Sequence, residues 1–382
     1  MSEIDAATLK LAARGDLEAV ERLVARDPSV VKKTSGGHNR SLLWEAARGG
    51  HRELVEFLIE RGADVNGPGR YRNETLVLVT PYVMTKTRGH DDLSRYLLAQ
   101  GAVIDIWSSA YLGDLNRLSE LLEGRPELLD AEHPADPAWR VTLLHYAIAG
   151  GRREVAEVLI ARGADVKGRG RWLLGFALHF GRSDLARLLL DNGLPAADIP
   201  VSGRMLVEHR EIAELLLARG ASVNMGGEDA NPAYNSGQMG GGWPPIVYES
   251  RGDKGNHPER IRALLEHGAE PNATGPRGVT ALHAAAKAGF HEVIEVLAES
   301  GADLNALSGN GDTPLIVGVR SGRTESVGAL LRVGADPNIP DRKGAMPLTI
   351  SRRSRRPQAK DIARLIRAHG GRTGRPARLF RR

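Results

Sequence analysis

Four ionisable residues stand out because they lie in short helical segments, at positions where a packed repeat would carry small apolar side chains. Lys86, Arg204 and Glu249 occupy such positions, and His179 is a lone histidine on a segment of the same kind. A charge in a packed interface is costly unless it is paired or reaches a cavity, and titratable groups in unusual environments cluster at functional sites. These four residues are therefore the candidate catalytic set, an acid, a base and electrostatic groups around a buried ligand. The alternative is a helical register one or two residues different, which places Arg204 and Glu249 on the surface.

Aromatic side chains form a second candidate set, because they concentrate in the middle of a chain that has only 5 Trp, 7 Tyr and 5 Phe. Such rings supply rigid contact area with a polar handle, which suits a sugar, a planar ligand or an extended peptide. The alternative is that single rings fill gaps in the core, and Phe176 is the first example. The candidate ligand-binding residues are Tyr111, Trp139, Tyr146, His179, Phe180, Trp243 and Tyr248.

Several kinds of chemistry have no pattern in this sequence. The chain has no cysteine, which excludes disulfides, thiolate zinc sites and a cysteine nucleophile. No two histidines have the i, i+4 spacing of a helical zinc site, and no Gly-x-Ser-x-Gly elbow is present. The run Gly168-Arg169-Gly170 lacks the strand and spacing of a dinucleotide fingerprint. We therefore predict no metal site and no cofactor.

The elements that position these residues are revealed by a repeat. Gly-Ala-Asp-x-Asn occurs at residues 62–66, 301–305 and 334–338, with near copies beginning at Gly163, Gly220 and Gly268. The glycines 268, 301 and 334 are 33 residues apart, and a fixed period of this size indicates one supersecondary unit that is stacked repeatedly. Glycine after an apolar helical run ends the helix, and Asp and Asn suit the turn that follows.

Each repeat carries two helices. Before each glycine lies an apolar helical stripe such as residues 293–297, and before that a shorter helix, best seen at residues 280–289, begins at a threonine and packs through alanines. The predicted unit is helix, tight turn, helix and an extended connection, which we call the finger. No strand-like alternation competes with it.

These residues closely resemble the ankyrin repeat, whose pattern is Thr-Pro-Leu-His-x-Ala-Ala-x-x-Gly-His, an apolar helix and Gly-Ala-Asp-x-Asn. Residues 142–145, 313–315 and 50–51 are further matches. The resemblance covers nearly all of residues 4–371 and implies an all-α ankyrin-repeat solenoid of about eleven helix-turn-helix units with finger loops. The predicted first helices begin near Ala6, Ser41, Thr80, Ile104, Thr142, Trp172, Ile199, Pro244, Thr280, Thr313 and Met346.

The resemblance also assigns roles. It implies that the variable residues of first helices and fingers face a concave groove, which places the aromatic candidates there. It gives His145 and His283 a structural role between neighbouring repeats. Trp44 and Trp107 replace the histidine of the pattern.

Departures from the period mark two inserted loops, near residues 67–79 and 225–243. Insertions in repeat proteins map to the loops along one face, which is often the binding face. The glycine-rich second loop lacks the spacing and the lysine of a phosphate-binding loop, so we expect either a ligand-ordered lid or a tolerated insertion. The predicted organisation is one solenoid domain, residues 1–371, and a basic tail, residues 372–382.

The net charge of +5 is unevenly distributed. Residues 351–382 contain eleven Arg, one Lys and a single acid, Asp361, so this end carries about +11 and the remainder about −6. Such an end either makes weak, non-specific contact with nucleic acid, an acidic partner or an anionic surface, or caps the stack and keeps it from aggregating. The polar first residues predict neither a secretory signal nor a membrane span, so a cytoplasmic protein is expected.

Two hypotheses about function remain. The resemblance implies a scaffold that binds a protein, a peptide or a small-molecule ligand in its groove. The alternative is an atypical ankyrin-fold enzyme that acts by acid/base chemistry on a small molecule such as a sugar, in a pocket formed by units 3 to 8. Fold alone does not separate them.

Overall fold

The computed structural model describes residues 3–70, 76–137, 139–225, 243–253 and 255–373. Within these ranges the chain is mostly helix and turn, so the prediction of an all-α fold is confirmed. The chain divides into two compact units, Met1–Leu194 and Pro195–Arg382. The prediction of a single domain over residues 1–371 stays a prediction. So does the prediction for the basic tail, because residues 374–382 lie outside the described part of the chain.

The helices of each unit follow one another in pairs. In the first unit they are α1 (Ala6–Arg14), α2 (Leu17–Arg26), α3 (Leu42–Gly49), α4 (Arg52–Glu60), α5 (Pro81–Thr87), α6 (Asp91–Ala99), α7 (Ile106–Leu112), α8 (Leu115–Leu122), α9 (Leu143–Gly150), α10 (Arg153–Ala161), α11 (Gly170–His179) and α12 (Ser183–Asp191). In the second unit they are α13 (Gly203–Glu208), α14 (Arg210–Ala218), α15 (Pro245–Glu249), α16 (Pro258–Glu266), α17 (Ala281–Ala288), α18 (His291–Glu299), α19 (Pro314–Ser321), α20 (Thr324–Arg332), α21 (Pro347–Arg353) and α22 (Ala359–Ala368). The strands in the described residues are β1 (Thr274–Gly275) and β2 (Val279–Thr280), an antiparallel pair.

The first helices of successive pairs pack against one another and form one row in each unit. In the first unit α1 contacts α3, α3 contacts α5, and α7 contacts α9, which contacts α11. In the second unit α15, α17, α19 and α21 form the corresponding row, and α16, α18, α20 and α22 form another. Alanines and leucines at these contacts are fully buried, as at Leu282 and Ala285. Small side chains therefore let neighbouring helices approach closely.

Threonine or serine begins six of the first helices in the described residues, and a glycine follows each second helix after α2. The Thr313 hydroxyl accepts a hydrogen bond from the backbone N–H of Ile316 at 3.2 Å, and the Ser41 hydroxyl accepts one from that of Trp44 at 3.1 Å. These side chains satisfy donors that a helix start leaves without partners. Gly301 has φ +80, a conformation that L-residues other than glycine reach only at a cost.

The asparagine of the repeat motif links each turn to the next. The Asn305 side-chain oxygen accepts a hydrogen bond from the backbone N–H of Asp336 at 2.9 Å, and Asn272 accepts one from Asp303 at 2.7 Å. The Asn338 side chain likewise accepts from the backbone N–H of Arg372 at 2.8 Å. Each motif asparagine thus bridges two repeats, beyond the local turn role that the sequence indicated.

The predicted replacement of histidine by Trp44 is confirmed in structural detail. His283, three residues after the capping Thr280, contacts the carbonyl oxygen of Asp312 through Nε2 at 2.9 Å. Trp44, three residues after Ser41, donates its indole N–H to the carbonyl of Val79 at 2.7 Å. In both cases the acceptor directly precedes the cap of the next first helix. The indole therefore replaces the imidazole as the link between repeats.

Two predicted positions differ from the structure. Trp107 does not take the histidine position, because Asp105 caps α7 and Ser108 is its third residue. The first helix expected near Ile199 begins at Gly203, where Ser202 caps it through the backbone N–H of Met205 at 3.2 Å. Ile199 is instead buried in the preceding finger, because the Pro195–Pro200 stretch suits turns and extended chain better than a helix.

The first inserted loop is a long finger closed by a bridge between Gly69 and Val79. Their backbone groups exchange hydrogen bonds of 3.0 and 2.9 Å, and Gly69 lies against the ring of Trp44, where a Cβ would be 3.0 Å from it. Residues 71–75 of this loop lie outside the described part of the chain. Residues 226–242 of the second inserted loop also lie outside the described part of the chain. The prediction that this loop forms a lid therefore stays a prediction.

Candidate functional site

Helix α11 carries a line of aromatic rings along one face. Trp172 and Phe176 are four residues apart, and Phe180 directly follows the helix, so the three share a face. The ring centroids of Trp172 and Phe176 are 6.5 Å apart, and those of Phe176 and Phe180 are 6.3 Å apart. His179 meets Phe180 edge-on at 4.9 Å. Trp139 extends the line from the preceding finger, at 6.0 Å from Trp172.

We call Trp139, Trp172, Phe176, His179 and Phe180 the aromatic stripe. Phe176 is buried, as its predicted role as core filler requires, whereas Trp139, Trp172 and Phe180 are half-buried and His179 is exposed. The structure therefore brings together three of the predicted ligand-binding residues, Trp139, His179 and Phe180, with ring area open to solvent. Trp172 was missed as a site residue, although its spacing of four from Phe176 could have revealed it.

A buried ion pair holds Trp139 in place. The Arg70 guanidinium binds the Asp136 carboxylate with both terminal nitrogens, at 2.7 and 2.8 Å. Both side chains are nearly inaccessible, with 8% and 3% exposed. The same guanidinium lies 4.9 Å from the centre of the Trp139 ring, a cation–π contact. The Trp139 ring is thus fixed by two fingers that lie 66 residues apart in sequence.

Beneath the ion pair lies a core of rings. Trp107 is 5.0 Å from His133 and 5.3 Å from Tyr146, and His133 stacks on Tyr146 at 5.6 Å. The Tyr146 hydroxyl donates to the carbonyl of Leu78 at 2.8 Å. Burial lowers the pKa of His133 and raises that of Tyr146.

The predictions of Tyr111 and Tyr146 as groove residues are not supported by their positions. Tyr146 is 1% exposed and Tyr111 is 7% exposed. The Tyr111 carbonyl accepts a hydrogen bond from the Arg152 side chain at 3.1 Å. Both rings fill the core between imperfect repeats, which was the alternative reading of single aromatics.

Lys86 does not occupy a packed interface. Thr85 takes the buried position and donates to the carbonyl of Tyr82 at 2.7 Å, while the next residue of α5 turns outward. The Lys86 ammonium lies 2.6 Å from the Asp91 carboxylate, with 40% of the lysine side chain exposed. This hydrogen bond to Asp91 raises the pKa of Lys86. The expectation of a buried lysine was wrong because α5 begins after Thr80, which turns position 85 toward the core.

Arg204 and Glu249 meet in the second unit. The backbone N–H of Arg204 donates to the Glu249 carboxylate at 3.2 Å, and Arg260 lies 3.6 Å from its other oxygen. Burial raises the pKa of Glu249. The Arg204 side chain is exposed and binds Glu208 at 2.7 Å. The alternative helical register, which places both residues on the surface, is therefore correct for Arg204 and wrong for Glu249, which is buried.

Trp243 and Tyr248 lie on either side of one arginine. The Arg251 guanidinium is 5.1 Å from the Trp243 ring centre and 5.7 Å from that of Tyr248. Tyr248 is 4% exposed and belongs to the core, whereas Trp243 is half-buried and packs over Gly275 so closely that a side chain there would clash.

An acidic residue beside the aromatic stripe holds two arginines, and sequence reasoning missed it. Glu132 Oε1 accepts from Arg140 Nε at 2.8 Å and from Arg169 Nη2 at 2.9 Å. Hydrogen bonds from Arg169 and then Arg140 lower the pKa of Glu132. Arg169 also donates to the Arg140 carbonyl at 2.8 Å. We call Glu132, Arg140 and Arg169 the Glu132 cluster.

Metal sites and membrane spans are absent from the described residues. They contain no group of three or more His, Cys, Asp or Glu side chains that could hold a metal ion. None of their helices is both long enough and apolar enough to cross a membrane.

Comparison with protein families identifies the repeats. A model for three copies of the ankyrin repeat matches residues 251–341, and single-repeat ankyrin models match residues 38–70 and 139–168. No curated protein matches the chain. The chain is an ankyrin repeat protein, and its repeats indicate a scaffold for protein–protein interaction.

Proposed function

We propose that this ankyrin scaffold binds its protein partner on the aromatic stripe of the first unit. The observation that carries the proposal is the unbroken series of ring contacts from Trp139 to His179, in which Trp139, Trp172 and Phe180 keep solvent-accessible ring area. Half-buried aromatic rings with fixed orientation are the residue type that most often carries binding energy at protein interfaces.

The stripe is also pre-organised. Arg70 and Asp136 fix Trp139 before any partner arrives, and Phe176 anchors the neighbouring rings in the core. Rings that are already immobile lose little conformational entropy on binding, so more of the contact energy appears as affinity. The first helix and the finger before it supply the stripe, and these elements face the groove in the ankyrin pattern.

The test uses a random-peptide display library selected on the full chain. Peptides are then compared on the wild type, on the variant with Trp139→Ala and Phe180→Ala, and on a control with Val207→Ala and Leu307→Ala. The control removes apolar side chains that are 46% and 60% exposed and lie outside the stripe. We expect the stripe variant to weaken binding at least about tenfold, since each anchor contributes roughly 1–2 kcal/mol, and the control to bind normally.

Thermal melts of both variants establish that the loss is not unfolding. Selected peptides that bind the stripe variant and the wild type equally, or a library without any binder, would contradict the proposal. The enzyme hypothesis stays a prediction; Lys86 is paired with Asp91 and 40% of its side chain is exposed, and His179 is exposed.

A weaker contact with anions is proposed for the basic end of the second unit. Arg352, Arg353, Lys360, Arg364 and Arg367 are exposed on α21 and α22. The single acid of this segment, Asp361, is 3.2 Å from Arg364. Binding to any polyanion should be weak and should fall steeply with salt, because it depends on the release of counterions. Binding that is insensitive to salt would contradict this.

A further inference from the structure

The Glu132 cluster, which lies beside the aromatic stripe, contains two positively charged arginines and one negatively charged glutamate. Two guanidinium groups bind one carboxylate, and both use the same oxygen, Oε1. Asp165 lies in the same finger as Arg169, and its carboxylate accepts a hydrogen bond from the backbone N–H of Gly168 at 2.8 Å. Glu132, Arg140 and Arg169 by themselves therefore carry one excess positive charge at the end of the stripe where Trp139 and Trp172 meet, and the Asp165 carboxylate keeps its own negative charge.

Arg140 is positioned to bind a second carboxylate. Its side chain is 70% exposed, and its Nη1 and Nη2 groups make no hydrogen bond within the part of the chain that the structure describes. A guanidinium has five N–H donors in a planar fork, which matches a carboxylate in two-point contact. Arg140 also directly follows Trp139, so a group bound to it lies next to the stripe.

We propose that the protein segment held on the aromatic stripe is acidic, with a carboxylate that binds Arg140 and Arg169 in competition with Glu132 and an adjacent aromatic or aliphatic side chain on Trp139 and Trp172. The inference rests on the proposed function of the stripe. It adds the chemical class of the segment, and Glu132 itself demonstrates that the two guanidiniums can both donate to one carboxylate oxygen.

The ring geometry favours a peptide over a nucleic acid. Trp139 and Trp172 meet at an interplanar angle of 64°, and Phe176 and Phe180 meet at 62°. Bases of a single strand need parallel ring faces on which they stack in succession. Tilted rings leave wedge-shaped gaps, which aliphatic and aromatic side chains of a peptide fill more readily.

Glu132→Gln gives the sharpest test. The probes are a short labelled peptide of alternating glutamate and phenylalanine, its counterpart with glutamine for glutamate, and labelled oligothymidylate. Because the substitution removes the carboxylate that competes for the two arginines, we expect the glutamate peptide to bind this variant a few-fold more tightly than it binds the wild type. A purely structural role of Glu132 predicts the opposite, a loss of binding.

Arg140→Gln is the second variant, and Arg153→Gln is its control. Arg153 is also an exposed arginine paired with a glutamate, at 2.8 Å from Glu157, but it lies on α10. We expect Arg140→Gln to weaken binding of the glutamate peptide about tenfold, which is the effect of one charge-assisted hydrogen bond. Binding of the glutamine peptide should stay unchanged. The control should change neither. Circular dichroism checks the fold of each variant.

The outcomes separate this inference from the function on which it rests. If the stripe variant loses both peptides while Glu132→Gln and Arg140→Gln leave their ratio unchanged, the stripe binds protein and the acidic class is wrong. If both peptides bind the stripe variant as they bind the wild type, the proposed function fails. Tighter binding of oligothymidylate than of the glutamate peptide, or no binding of either peptide, overturns the inference.

Discussion

Two regions of the molecule connect their repeats in different ways. Between Thr280 and Ala345 hydrogen bonds that recur with the repeat join neighbouring units, such as His283 to the Asp312 carbonyl and Asn305 to the Asp336 N–H, and Arg320 adds ion pairs to the carboxylates of Asp312 and Asp341. Between residues 61 and 142 the links are unlike one another and include the buried pair of Arg70 and Asp136.

The cause of the difference is the length of one connection. Helices α4 and α5 are joined by residues 61–80 and helices α8 and α9 by residues 123–142, but α6 and α7 are joined only by residues 100–105. The two long fingers therefore meet across the position of a short one, where the ion pair forms. We therefore expect each recurring hydrogen bond of the regular region to contribute little to stability, and the buried ion pair of the irregular region to contribute more.

Breaking the ion pair should have the largest effect. Asp136→Asn removes the carboxylate charge that the buried Arg70 guanidinium binds with both terminal nitrogens, which lowers the free energy of unfolding by about 3–5 kcal/mol. Urea unfolding followed by tryptophan fluorescence measures this. The control Asp361→Asn breaks a pair whose side chains are 60% and 80% exposed and should cost less than about 1 kcal/mol. Equal effects of the two substitutions would show that burial of the Arg70–Asp136 pair does not increase its contribution to stability.

Acidification should weaken the repeat that contains His145. Burial lowers the pKa of His145 to about 3 from its ordinary 6.5. Below pH 6.5 the unfolded chain binds a proton that the folded chain excludes, so this contribution to stability falls as pH drops toward 3. The slope is at most about 1.4 kcal/mol per pH unit. Urea midpoints between pH 7 and 5 measure it.

The variant His145→Gln isolates this effect, because other titrating groups are shared with the wild type. Burial raises the pKa of Glu249, for example, which acts in the opposite direction as pH falls. The variant should be less stable at pH 7, because it loses the contact of His145 Nδ1 with Thr142 at 3.1 Å, but its stability should change less with pH. An unchanged slope would mean that His145 is not excluded from protonation.

Tyr146→Phe tests a single hydrogen bond of the irregular region. The change removes the donor to the Leu78 carbonyl and keeps the ring in the aromatic core. We expect a loss of about 1 kcal/mol in the free energy of unfolding. Amide exchange at residues 76–79 should accelerate, and unchanged exchange there would indicate that this finger is held on α9 without the bond.

Asn305→Ala tests one of the recurring links and should have the smallest effect. The bond to the Asp336 N–H is exposed, and water can replace the lost acceptor, so we expect roughly 0.5 kcal/mol. Chemical denaturation of the variant provides the measurement. A loss as large as that of Asp136→Asn would mean that the regular repeats do not share their stability.

Part of the candidate site could be predicted from sequence. Trp139, His179 and Phe180 were identified because aromatic residues at first-helix and finger positions are uncommon in this chain. Tyr146 and Tyr111 were assigned wrongly, because sequence spacing does not reveal that the adjoining repeats leave a gap that these rings fill. Glu132 was missed because its two arginine partners come from different fingers.

The sequence by itself determined the helix pairs and their order, because capping threonines, apolar spacing and turn glycines act within a single repeat. The tertiary structure decided what happens where the repeat fails. Arg70 reaches Asp136 across 66 residues only because a short connection and two long ones place these groups together. Contacts of this kind depend on the lengths of several connections at once, which no local pattern encodes.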